Sequence, residues 1–213
     1  MEILDIVDEY GNPTGKTVER EYAHANGVRH RTSHVWLVRR RPGTADCDLA
    51  GGSDKLAERE KTQGCATKTA NVQILLQKRC EGKDSFPGCY DISSAGHIPA
   101  GCGYVESALR ELEEELGVTA RAEELIECGD ITIGWDERFY DKEFKDRQYS
   151  KIFIIWRDID ESDFRLQENE VESVLWMDFD DCMDAVKNDK IKHCIAVEEL
   201  EIVKSGIEKS CDF

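Results

Sequence analysis

The chain has 213 residues, is 40% hydrophobic and carries a formal net charge of −17, enough length and apolar content for one domain with a real core. That charge excludes a sequence-independent nucleic-acid surface, which needs a basic face, and electrostatic docking on anionic membranes. The opening "MEILDIVDEYG" lacks the basic start and apolar stretch of a signal peptide, and no apolar run reaches transmembrane length.

In chain order, "EILDIVDEYGNPTGKTVERE" predicts two short strands around a turn at 11–15. "SHVWLVRR" (33–40) reads as a strand, and the polar, glycine-rich stretch 42–71 as a mobile surface insertion. "VQILLQKR" (72–79) resumes strand character, "KDSFPGCYD" reads as a loop and "ISSAGH" as a small-residue strand. Residues 104–116 have helical periodicity and stop at Gly117. "DITIGWDERF" (130–139) and "YSKIFIIW" (149–156) predict strands separated by a charged loop, and "VESVLWM" (171–177) another strand. Two helices follow at 178–188 and 194–205, the second with apolar Ile195, Val197, Leu200, Ile202 and Val203. Strands packed with a few helices give a layered α/β or α+β fold. The expectation is a single domain over 1–213, its core ending near 205. Nine cysteines without a C-x-x-C pair signal neither a zinc site nor a redox motif, which fits a reduced, cytoplasmic protein.

The segment "RELEEELG" (110–117) concentrates acids beside one arginine. On a helix, Val105, Ala108, Leu109, Leu112 and Leu116 form an apolar stripe for the core. Glu111, Glu114 and Glu115 then share an adjacent ridge, while Glu106 and Glu113 point elsewhere. Like charges at these spacings each cost roughly 0.2–0.5 kcal/mol. By itself the run reads either as a solvated glutamate face or as a divalent-cation site, since hard Mg²⁺ prefers carboxylate oxygens and completes its shell with water and phosphates.

The upstream glycine-rich loop "SSAGHIPAGCG" (93–103) feeds this helix. Gly96 followed by Arg110-Glu111-Leu112-x-Glu114-Glu115-x-Gly117-Val118 resembles the Nudix box, whose end reads R-E-U-x-E-E-x-G-U (U apolar). The resemblance implies a MutT-like α/β/α sandwich with a mixed sheet and a loop–helix–loop motif, and hydrolysis of a small-molecule diphosphate with Mg²⁺ or Mn²⁺. It makes Glu111, Glu114 and Glu115 metal ligands and has Arg110 orient them. One element departs: the acid expected at 102 is Cys102.

Over residues 1 to about 200 the chain resembles the Nudix subgroup related to type I isopentenyl-diphosphate isomerase, on "DIVDEYGNPTGKTVEREYAH", "RHRTSHVWLV", "ILLQKR", "KDSFPG" and "DISSAGHIPAG". This implies diphosphate binding by Arg79 and Lys83, with Gly96 and His97 at the substrate. A cationic clamp is what an acidic domain needs for phosphate oxygens, and arginine can bind them bidentately. The resemblance also implies metal-binding histidines at His24, His30 and His97, the first spacing being one residue short. Imidazole suits transition ions, although a lone histidine is more often a hydrogen-bonded structural residue. Of the later acids, "DKEFKDRQYSKIF" offers Glu143 or Asp146, with Gln148 where an acid would stand. Ala95 occupies the isomerases' catalytic cysteine position, and a methyl group cannot transfer a proton, so a hydrolase is expected over an isomerase. A third possibility is a Nudix-fold binding module that has lost catalysis. The general base is Glu114 or an acid of 136–146, and Trp135, Phe139 and Tyr140 are open to base stacking, core or surface roles.

Overall fold

The computed structural model describes residues 2–42 and 69–210. Residues 43–68, most of the expected insertion, lie outside them. Strand β3 (His30–Arg40) is buried over its first nine residues, as a strand covered on both faces must be. Its side chains alternate: Trp36 and Val38 enter one apolar cluster, Val35 and Leu37 the other. Strand β4 (Val72–Arg79) divides in the same way, Ile74 and Leu76 against Leu75, as does β8 (Lys142–Trp156), with Ile152 and Ile154 against Phe153 and Ile155. Each such burial contributes roughly 1.5–3 kcal/mol.

The remaining strands are β1 (Ile3–Val7), β2 (Pro13–Glu19), β5 (Tyr90–Asp91), β6 (Ser94–His97), β7 (Ile126–Phe139) and β9 (Val171–Asp178). β1 and β2 form a separate two-stranded sheet; the main sheet runs β5-β4-β3-β8-β7, with β6 also on β3 and β9 on β4. β3 pairs with β8 in parallel, His30 opposite Gln148, and the other pairs of this sheet are antiparallel. One face carries α2 (Tyr104–Leu116) through Ala108, Leu112 and Leu116. The other carries α3 (Phe179–Lys187) through Phe179, Cys182 and Val186, and α4 (Val197–Ser210) through Leu200, Val203 and Ile207. The mixed sheet lies between helices, as expected.

Several local expectations change. The first turn lies within 8–12, closed by Asp8, which accepts from the Tyr10 and Asn12 amides at 2.9 Å. A short helix, α1 (Arg20–Asn26), follows β2; its seven residues are too few to show a period. Of the charged stretch read as a loop at 140–148, only 140 and 141 form a turn, and the rest is the start of β8. β7 and β8 form one long hairpin whose turn residues Tyr140 and Asp141 have φ of 48° and 64°, the left-handed pair of a tight two-residue hairpin. The last helix starts at Val197, after Ile195, and buries Ile207, so the core runs beyond 205. Leu109 leaves the core stripe for an open surface hollow, while Glu115 is buried. α2 ends where read: Gly117 at φ 69° donates to the Glu113 carbonyl at 3.0 Å, and an added Cβ would meet Arg165 Cβ at 2.7 Å.

Candidate active site

A cavity of about 390 Å³ opens where α2, the α1 end, the loop after β4 and the β7–β8 hairpin converge, a size suited to a small molecule. Arg110, Glu111, Glu114 and Glu115 line it from α2. Arg110 donates to Glu111 Oε1 at 2.7 Å and Glu114 Oε2 at 2.9 Å. A second, 3.5 Å contact ties it to the His97 carbonyl. Glu115 is 6% exposed and accepts from the Ala95 amide at 3.2 Å, whereas the Glu114 side chain is 52% exposed. Gly96 lies directly under Glu111: a Cβ there would sit 2.2 Å from its carboxyl carbon. Only glycine lets the acid lie against the β6 backbone.

Burial pushes the Glu111 carboxyl up to about 6, with the neighbouring Glu114 charge adding to it. Burial likewise lifts Glu115 to about 7, with Glu111 adding to it. Crowded, desolvated acids of this kind are stabilised as anions by a bound cation.

A second cluster shares the cavity. His24, from the last turn of α1, His30, from the start of β3, and His97, from the end of β6, place ligand atoms within 4.8 Å of one another. His24 Nε2 is 3.1 Å from His97 Nε2. Val28's carbonyl, an obligate acceptor 2.9 Å from His30 Nδ1, makes that nitrogen the donor and turns Nε2 toward the cluster. His30 Nε2 and Asp146 Oδ1, both buried and 3.4 Å apart, find no hydrogen-bond partner among the described residues. Burial holds His24 down at about 3 and His97 well below the usual imidazole range, which favours the neutral form that ligates metals. The donor set, three imidazoles and one carboxylate, fits a transition ion.

Asp146, one of the two acids offered by the sequence, is the one at this cluster. Glu143 is instead an exposed side chain paired with Lys145 at 3.0 Å. Gln148 lines the cavity, donates to Asp146, and has its own Oε1 3.3 Å from the Thr32 hydroxyl. Arg79 and Lys83 also line the cavity, but already engaged: Arg79 on Asp91 at 3.0 Å and the Ser85 carbonyl at 2.9 Å, Lys83 on Glu170. Trp135 lies at the cavity wall with Phe86, ring centroids 5.6 Å apart. Phe139 backs Phe86 at 4.8 Å, and the Tyr140 hydroxyl reaches the Glu81 carbonyl at 3.0 Å. Phe86 adopts φ 47°, an uncommon conformation for a bulky residue.

Two further cavity residues carried no sequence signal. His34 Nδ1 donates to Glu199 Oε1 at 3.0 Å, and Trp36 Nε1 donates to the same oxygen at 2.8 Å. Burial opposes charge on His34, but Glu199 outweighs it and its pKa is raised. Their meeting depends on α4 docking on β3, which no local spacing encodes.

Residues 58–196 match the NUDIX domain. A Nudix hydrolase of Clostridium acetobutylicum is 32% identical over 84% of this chain and 71% of its own length. Nudix hydrolase 3 of Arabidopsis thaliana is 34% identical over 84% of this chain, which spans only 20% of that longer protein. Among solved structures, a protein of Deinococcus radiodurans superposes with a TM-score of 0.59 at 16% identity, covering 94% of this chain and 98% of its own. A Nudix hydrolase of Alicyclobacillus acidocaldarius gives a TM-score of 0.53 at 12% identity, covering 86% and 95%. The motif on α2, the layered fold and these relatives agree: the chain belongs to the Nudix hydrolase family.

Proposed function

We propose that the chain is a cytoplasmic, single-domain hydrolase that cleaves the diphosphate linkage of a small molecule with Mg²⁺ or Mn²⁺. The observation that carries this reading is the shared cavity: Glu111, Glu114 and Glu115 line it together with Arg79 and Lys83. Glu111, Glu114 and Glu115 would hold the hard cation, and His24, His30, His97 and Asp146 a softer one. A bound divalent cation supplies charge neutralisation at the phosphates and makes a nearby water more acidic.

The chain's own residues do the rest. Arg110 orients Glu111 and Glu114. Arg79 and Lys83 exchange part of their present contacts for the non-reacting phosphate and stabilise charge developing there. Glu114, at the cavity mouth, takes the proton of the attacking water, with Asp146 the acid of 136–146 that lines the same cavity. Trp135 and Phe86 flank the organic group. The test is Glu114→Gln: metal-dependent release of phosphate or pyrophosphate from a diphosphate panel should vanish while the protein stays folded, and unchanged turnover would refute the assignment.

Ala95 is the observation that separates this reading from an isoprenoid diphosphate isomerase. Incubation with isopentenyl diphosphate should yield no dimethylallyl isomer. Binding of diphosphates without any product would favour the non-catalytic module.

A further inference from the structure

The box loop reaches α2 without the acid its pattern places at 102, and the structure offers another support. The Asp5 carboxylate on β1 accepts from the Gly101 amide at 2.9 Å and from Arg31 Nη2 at 2.8 Å. The same Nη2 donates to the Cys102 carbonyl at 3.1 Å. Arg31 also covers the ring of Tyr104, the first residue of α2, at 5.3 Å. Both partners are largely buried, with side chains 13% and 9% exposed. Around them the loop is sewn to the same two strands: the Ala100 amide donates to the Ile3 carbonyl at 2.8 Å, Ile98 to the Arg31 carbonyl at 3.0 Å, and Leu4 bridges to Pro99.

We propose that Asp5 and Arg31 are positioning residues that replace the missing acid at 102, pinning the 97–103 loop from β1 and β3 so that Gly96 and α2 hold Glu111 in place. The inference rests on the reading of the α2 acids as cation ligands. One buried charge pair joins four segments here: β1, β3, the loop and the helix start. The Cys102 backbone carbonyl is 3.1 Å from Arg31 Nη2, so a carboxylate restored at 102 starts within side-chain reach of the arginine, and the rescue asks whether it takes over from Asp5. In the native chain that arginine already has its partner, so restoration adds little.

The experiment uses Asp5→Ala, Cys102→Glu and the double variant, with two readouts. Hydrogen exchange of the Gly101 and Cys102 amides needs no metal; Mn²⁺ affinity, followed by electron paramagnetic resonance of the free ion, needs no substrate. Asp5→Ala should speed exchange and weaken Mn²⁺ binding about tenfold, the usual scale for groups that orient metal ligands. Adding Cys102→Glu should recover the Mn²⁺ affinity, which a general loss of stability would not predict. Cys102→Glu alone should change it by less than about twofold. Wild-type exchange in Asp5→Ala, no recovery in the double variant, or a large gain from Cys102→Glu alone would each overturn the proposal. If wild type binds no Mn²⁺, the cation reading of the α2 acids fails, and the exchange arm still judges the clamp. Should Asp5→Ala not fold, Arg31→Lys keeps the charge, removes the planar guanidinium that sets one Nη2 between Asp5 and Cys102 and covers the Tyr104 ring, and is read in the same way.

Discussion

The acids of one cavity wall come from successive turns of a single helix, while the imidazoles of the other come from α1, β3 and β6 and meet a carboxylate from β8. On the helix, burial and like charge act together, and Glu111 and Glu115 hold protons unusually strongly. At the histidines, burial removes charge: His24 and His97 stay neutral and repel nothing. The first wall therefore stores electrostatic cost that a cation relieves, and the second offers lone pairs at little cost. On the proposed reading, the two walls would bind cations of different hardness and could be tuned separately.

The largest expected effect that would break this contrast is on turnover. Glu111→Gln removes a charge held between Arg110 and the Gly96 backbone. Metal-dependent diphosphate release should fall about 10²–10³-fold, the scale for losing one preorganised electrostatic group, as measured by steady-state kinetics at saturating Mg²⁺. Retained activity would mean the helix wall is only a solvated face. Next comes His30→Asn, which should weaken Co²⁺ binding roughly 10–100-fold while leaving Mg²⁺ dependence nearly unchanged. Cobalt absorption spectra check the first half and kinetics the second; equal loss for both ions would merge the two centres into one.

The smallest effect is on stability. Glu111 and Glu115 carry folded pKa values of about 6 and about 7 against 4.5 for the free side chain. Between pH 4.5 and about 7 the folded chain therefore binds more protons than the unfolded one, and this pair's contribution to stability falls as pH rises through that window. The expected loss without added metal is of order a few kcal/mol, at most about 5 for the pair. Denaturant titrations at both ends should show it in wild type and not in the Glu111→Gln/Glu115→Gln double variant, and Mg²⁺ should restore wild type at the upper end.

The helix wall was legible in the sequence because its chemistry is contiguous: Arg110 to Gly117 encode periodicity, ridge and stop together. β4 was legible for a related reason, since "VQILLQKR" is apolar enough to be buried on both faces. The first half of β8 was not. In "KEFKDRQ" the alternating side chains meet either solvent or a polar cavity, so Asp146 and Gln148 gave no apolar signal and the stretch read as a loop. Resemblance named the three histidines, but only the parallel register of β3 and β8 brings Asp146 to them.

That register has a kinetic corollary. Thr32, which lines the cavity, and Ser150, buried behind it, have hydroxyls 2.6 Å apart and are separated by 118 residues of chain. Ring closure over such a span must be completed before any favourable contact repays it, and pairings of this kind set slow rates of acquisition. The expected outcome is that this pocket forms late in folding, so that Co²⁺ present from the start slows unfolding more than it speeds refolding, as stopped-flow refolding and unfolding with and without the ion would check.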